Sequence, residues 1–299
     1  MAHGKSAASE DPAWLRASFG AMAAVLAIST AAIAIRLADA LPPVWIAGVR
    51  LAVTGSVLLP FCLREWPGLI STLREDRGVL GRTVIAAACL ALHFATWMAS
   101  LTLTSVVTSV ALVATQPLFA AGLGRVLGDR VPRNAYFGAA IAIVGGYLMS
   151  GSEVGSPIGA GLALAGAFFA AAYLAVGRAF RQRVPLAAYF VLVNLLASAM
   201  LLAWGAATTP VVEGAWSQAF AYVLYLGLVP GIIGHGLLNY AVRHIELHIV
   251  SLLVLLEPIG AGLLAWWWLG EAPATAEVLG GAVILAGVAV GARRGGDEG

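Results

Sequence analysis

Of the 299 residues, 61% are hydrophobic and 11% are charged, and the mean hydropathy is +0.91. A soluble domain carries about 25% charged residues, so this composition describes a membrane protein and leaves no room for a soluble catalytic domain. The net charge of +2 reflects topology and gives no support for nucleic acid binding. Cys62 and Cys89 both fall in apolar segments, and neither a disulfide framework nor a zinc site follows from them.

A hydrocarbon core of roughly 30 Å needs about 20 largely apolar residues per crossing. Charges and turn residues cut the chain into ten such segments, predicted near 14–36, 43–63, 81–100, 104–126, 134–150, 158–179, 185–205, 217–241, 246–269 and 275–292. The first follows a charged start but has no small-residue cleavage site, so it reads as a helix and not as a removed signal peptide. The longest predicted connection covers 64–80.

Lys and Arg are concentrated in alternate connections. Placing the N-terminus in the cytoplasm puts Lys5, Arg16, Arg64, Arg74, Arg77, Arg82, Arg125, Arg130, Arg133, Arg178, Arg181, Arg183, Arg243, Arg293 and Arg294 inside. Only Arg36 falls outside, and Arg50 falls within a span. The positive-inside rule therefore predicts that both termini are cytoplasmic.

The two halves repeat one pattern. Arg36 and Arg178 close the first helix of each half, Pro43 and Pro185 open the second, and Gly128 and Gly270 end the fourth, all 142 apart. Gln116-Pro117 and Glu257-Pro258 occupy equivalent places at an offset of 141. With five spans per half, the second half enters the membrane inverted, the design that gives transporters two related conformations around a midplane site. The expected architecture is an all-α membrane protein of ten helices, with residues 1–150 as the first repeat and 158–299 as the second.

The run Glu257-Pro258-Ile259 to Leu269-Gly270-Glu271, its first-half copy Gln116-Pro117 to Leu127-Gly128-Asp129-Arg130, and the ten spans resemble the EamA-type exporters of the drug/metabolite transporter superfamily. Within that superfamily the chain is most similar to the bacterial aromatic amino acid exporters. The resemblance implies an inner-membrane exporter of amino acids and related metabolites, with no enzymatic activity and no cofactor.

Polar groups at membrane depth mark the candidate site. His93 and Trp97 are four apart in the third helix, and His235 and Asn239 are four apart in the eighth at the 142 offset, so each pair shares one helical face. With Tyr240 and Tyr173 they either line a central cavity that binds substrate or satisfy neighbouring carbonyls within the packing. Ser29 and Thr30 read as hydroxyls bonded to their own helix, and Asn194 as cavity lining or as glue between helices. An intramembrane carboxylate such as Glu257 is a functional hypothesis by default. It either couples protons or accepts bonds from backbone freed by Pro258, and the non-titrating counterpart Gln116 favours the second role.

Pro230, Gly231 and Gly234 mark a hinge beside His235, whereas their first-half counterparts at Ala86-Ala87-Ala88-Cys89 show no break. Trp266, Trp267 and Trp268 read as an interfacial belt. Small residues Gly138, Ala142 and Gly146 in the fifth helix and Gly287 and Gly291 in the tenth read as scaffold or as a homodimer contact. A cavity with few fixed charges suits neutral or hydrophobic amino acids; the alternative is efflux of small lipophilic or cationic compounds. No span carries the acid pair, nucleophile with base, or metal cluster that an intramembrane enzyme would need.

Overall fold

The computed structural model describes residues 12–126, 133–150, 156–178, 184–238 and 256–292. These are helical, and no strand occurs among them. Seven helical stretches are long and apolar enough to cross a membrane, beginning with Ser18–Leu37 and ending with Ala215–Leu238. The predicted fifth and tenth spans are also helical, as α8 (Arg133–Ser150) and a shorter apolar helix that closes the described chain. Residues 239–255, which include part of the predicted ninth span, lie outside the described residues.

The first span is two helices, α1 (Pro12–Ser29) and α2 (Ala31–Leu37), joined at Thr30. The hydroxyls of Ser29 and Thr30 donate to the carbonyls of Val25 and Ala27 of their own helix, at 2.8 and 2.7 Å. Such bonds satisfy the hydroxyls without water and favour a bend. Pro43 opens α3 (Pro43–Leu58), where a missing N–H costs nothing because first-turn donors have no intrahelical acceptor.

The predicted connection 64–80 is itself mostly helical. After a 3-10 turn over Leu59–Glu65, α4 (Trp66–Glu75) lays Leu69 fully buried against the bundle and turns Ser71 and Arg74 outward. Asp76 then caps α5 (Arg77–Ser100), accepting from the N–H groups of Gly78 and Val79 at 2.8 and 3.3 Å. The third span therefore starts at Arg77, earlier than expected, because a capping side chain lets the helix begin in charged sequence.

The fourth span is broken into α6 (Val106–Val113) and α7 (Gln116–Val126), with Pro117 at the second position of the new helix. A proline within a continuous helix would delete a hydrogen bond and clash with the preceding turn. Restarting the helix at Gln116 avoids both. The second half supplies α9 (Pro157–Arg178), α10 (Leu186–Thr208) and α11 (Ala215–Leu226), then a segment wound as a π-helix over Gly227–Gly234 that contains Pro230. The last described elements are α12 (Glu257–Leu264), a second π-wound segment at Ala265–Leu269, and α13 (Thr275–Ala292). Like Gln116, Glu257 is the first residue of a helix and is followed by proline.

Packing ties early helices to late ones: α8 to α13, α5 to α9, α3 to α10, and α1 to both α12 and the Gly227–Gly234 segment. Glycines permit the closest approaches. A Cβ at Gly138 would fall on the Gly287 carbonyl, and one at Gly145 would lie 2.7 Å from the Gly280 carbonyl. Gly138, Ala142, Gly287 and Gly291 of the stripe that read as scaffold or dimer contact thus pack α8 against α13 of the same chain. Gly145, and not Gly146, is the residue that faces α13; a Cβ on Gly146 would meet only Leu112, at 3.7 Å.

At one end of the bundle, two carboxylates hold the start of α6. The Glu271 carboxylate pairs with Arg36 at 3.0 Å and accepts from the Val106 N–H at 3.2 Å. Arg36 also donates to the Thr104 carbonyl at 2.9 Å. Glu277, fully buried, accepts from the hydroxyls of Ser105 and Thr108 and from the Ala274 N–H. Negative charge at a helix N-terminus is favourable because the first amides carry partial positive charge.

Candidate functional site

Between the early and late helices lies a cavity of about 380 Å³, within the roughly 300–1,000 Å³ range of small-molecule sites. Its wall includes His93, Trp97, Gln116, Tyr173, Asn194, Pro230, Gly231, His235 and Glu257, so most of the predicted site residues converge there. Gly234 does not line it; that glycine lets the π-wound segment approach Ile28, which an added Cβ would meet at 2.8 Å. Asn239 and Tyr240 lie outside the described residues. A larger groove of about 590 Å³ between α6, α7, α8 and α9 has no titratable side chain in its wall, and its surroundings suit lipid rather than a polar solute.

One wall is an aromatic face of α5. The rings of His93 and Trp97, one turn apart, are stacked with centroids 6.0 Å apart and planes 10° apart, and Phe94 packs beside both. His93 Nδ1 lies 2.9 Å from the carbonyl of Gly166 on α9. A carbonyl can only accept, so Nδ1 carries the hydrogen, and in the neutral ring Nε2 is left as the acceptor. Gly166 makes this bond possible, because a Cβ there would sit 3.3 Å from that of Trp97 and hold α9 away. His93 thus takes both roles weighed from the sequence, bonding a carbonyl and lining the cavity.

The opposite wall is the π-wound segment. In π winding the carbonyls shift by one residue, and such turns cluster at functional sites. Thr54 of α3 ties it down, donating to the Gly227 carbonyl at 3.0 Å, while a Cβ on Gly231 would lie 2.5 Å from the Thr54 hydroxyl. Gly231→Ala is therefore expected to lower the thermal unfolding midpoint by several degrees, and Thr54→Ala in the same chain should restore part of the loss. Equal losses in the single and double variants would mean that this contact does not set the fit. The first-half counterpart in α5 is an unbroken helix of 24 residues, so the two walls differ in winding as the sequence indicates.

Glu257 stands at the start of α12 on the cavity wall, and no hydrogen bond among the described residues ends on its carboxylate. The Ser29 hydroxyl reaches its backbone carbonyl, at 3.3 Å. Asn194, also on the wall, donates to the Phe190 carbonyl at 2.8 Å. Arg50, which falls within a predicted span, is buried in this wall beside Phe94. Its presence within a span was the available signal. Trp266, Trp267 and Trp268 are exposed at the end of their segment, away from the cavity. Among the described residues no cluster of His, Cys, Asp or Glu is arranged to hold a metal.

A helical membrane bundle with a largely apolar cavity, set with a few polar side chains, between its early and late helices is the architecture of a small-molecule transporter. The sequence profile of the EamA-like transporter family matches twice, over residues 15–151 and 157–292, and the chain belongs to that family. An uncharacterized transporter of Archaeoglobus fulgidus is 28% identical over 78% of this chain and 80% of its own length. A probable terminal-alkyne amino-acid exporter of Streptantibioticus cattleyicolor is 31% identical over 62% of this chain and 64% of its own. A solved crystal structure shares the fold with a TM-score of 0.63 at 22% identity, covering 92% of this chain and 95% of that one.

Proposed function

We propose that this transporter exports neutral or hydrophobic amino acids, aromatic ones among them, across a bacterial inner membrane by alternating access. In this reading ten helices form two inverted halves, 1–150 and 158–299, with both termini cytoplasmic. Two observations support the halves. The family profile matches twice, and the packing partners interchange: α5 lies on α9 as the Gly227–Gly234 segment lies on α1, and α7 lies on α9 as α12 lies on α1. Unequal winding of the two walls makes Pro230, Gly231 and Gly234 the flexible side.

The observation that carries the substrate reading is the convergence of His93, Trp97, Tyr173, His235 and Glu257 on one largely apolar cavity. Hydrogen-bonding groups of this kind suit the polar end of an amino acid, and the aromatic face of α5 suits its side chain. The Streptantibioticus relative, named as a probable amino-acid exporter, supports the same class. Asn239 and Tyr240 belong to the proposed site by their sequence positions, and Gln116 faces it as the uncharged counterpart of Glu257.

Labelled tryptophan, phenylalanine, threonine and methionine supplied to proteoliposomes, with and without an imposed pH gradient, test this. Uptake is expected for the wild type and is expected to fall at least tenfold in His93→Ala and Trp97→Ala with the protein still monodisperse. No uptake of any of the four by folded protein would overturn the amino-acid reading and leave efflux of small lipophilic or cationic compounds in its place. A dependence on the pH gradient that Glu257→Gln removes would assign proton coupling to that carboxylate.

A further inference from the structure

We infer that Arg50 is the anchor for a carboxylate on the transported molecule, so that the cavity reads its substrate as a zwitterion between Arg50 and Glu257. This deepens the amino-acid reading and rests on it for the second charge. Arg50 sits in the middle of α3, only 2% exposed, in the cavity wall. Among the described residues, its Nε and Nη1 have no hydrogen-bonding partner. These atoms lie on different edges of the guanidinium, so an N–H on each edge is left without a partner. The fork of a guanidinium matches a carboxylate in geometry and in charge.

Among the described residues, none in the wall neutralises Arg50 by direct contact. Glu257 lines the same cavity, yet no N···O distance between the two falls within ion-pair range among the described residues. The face of Phe94 lies under the guanidinium, 4.3 Å from Cζ to the ring centroid. That contact orients the plane while leaving its N–H groups unspent. An unpaired cation buried at membrane depth is costly and, where it occurs, marks a substrate path. Trp97 Nε1 is a second buried donor without a partner among the described residues, and Trp97 lines the same wall.

The remaining polar groups are of the opposite kind. The Glu257 carboxylate and the acceptor nitrogen of His93 suit an ammonium, and Leu51, Leu90, Leu174 and Phe190 surround them with apolar surface. A carboxylate, an adjacent ammonium and an apolar side chain together describe an α-amino acid. A lipophilic cation without a carboxylate would bring its charge toward Arg50 and leave the guanidinium unpaired.

The test compares phenylalanine, its carboxamide, and phenylacetate as ligands of the full-length protein in proteoliposomes, using wild type, Arg50→Gln and Arg50→Lys. Phenylalanine is expected to bind wild type at least tenfold more tightly than the carboxamide, and Arg50→Gln to lose about tenfold to a hundredfold for phenylalanine, the range for hydrogen bonds to charged groups. Carboxamide binding should be unchanged. Arg50→Lys keeps the charge without the fork, so it should retain part of the preference; it also serves if the Gln variant does not fold. A preference for the carboxylate that survives unaltered in the folded variants would overturn the role of Arg50 and leave the amino-acid reading standing. If wild type takes phenylacetate but not phenylalanine, and Arg50→Gln abolishes this, Arg50 keeps its role and the zwitterion part is overturned. Tight binding of the carboxamide alone would overturn both.

Discussion

Gly138→Ala is expected to destabilise the folded protein by about 3 kcal/mol, the upper end of what overpacking usually costs, whereas Gly146→Ala eight residues on should be tolerated. The difference lies in what each new methyl meets. At Gly138 it would meet the Gly287 carbonyl and lie 2.7 Å from the Gly291 Cα, all backbone, so relief requires α8 and α13 to separate. At Gly146 it would rest in ordinary contact with Leu112, 3.7 Å away. Separation is costly in lipid, where helices associate by close packing and not by expelling water. Thermal unfolding midpoints in detergent provide the measurement. Similar midpoints for the two variants would show that the α8–α13 contact does not support the fold.

The same contact repeats across the chain. Gly138 and Gly280 are 142 residues apart, as are Gly145 and Gly287, and the contacts join Gly138 to Gly287 and Gly145 to Gly280. The crossing is thus unchanged when the two halves are exchanged, which is the arrangement two inverted copies of one unit would make. Read from sequence, the offset was visible but the crossing was not, because helix-period spacing offers Gly145 and Gly146 almost equally. Only the rotation of α8 against its partner decides between them.

Much of the cavity was legible for a plain reason: polar side chains in a nearly uncharged chain are few, and lipid excludes them from the outer face. His93, Trp97, Tyr173, His235 and Glu257 were found this way, and proline and glycine located the π-wound segment. Arg50 was seen within its span but not assigned to the cavity, since an Arg side chain can extend along its helix toward either surface. The α4 helix was missed because its few apolar positions are too short a pattern to stand out beside full spans. Glu277 was passed over for a different reason. It is the third residue of a predicted span, where an acid reads as an exposed first-turn residue, and the chain that covers it lies 172 residues earlier, at Ser105.

Removing that acid should have one of the largest effects in the molecule. Glu277→Ala is expected to cost about 3 kcal/mol or more, because hydrogen bonds to a charged acceptor contribute about 1.5–3 kcal/mol each and buried donors left behind add a penalty. One oxygen serves the hydroxyls of Ser105 and Thr108, and the other serves the Ala274 N–H. Glu277→Gln should therefore lose about half as much, since its carbonyl can still accept from the two hydroxyls while its amide confronts the Ala274 N–H. Ser105 also accepts from the Thr108 N–H at 3.0 Å, so Ser105→Ala and Glu277→Gln remove parts of one network. Their combined loss should fall short of the sum, as for residues that share partners. Glu277 does not line the cavity, and the variants that stay folded should keep the wild-type KM while their melting points drop. A raised KM in folded Glu277→Gln, with its melting point unmoved, would instead place this carboxylate in the transport path.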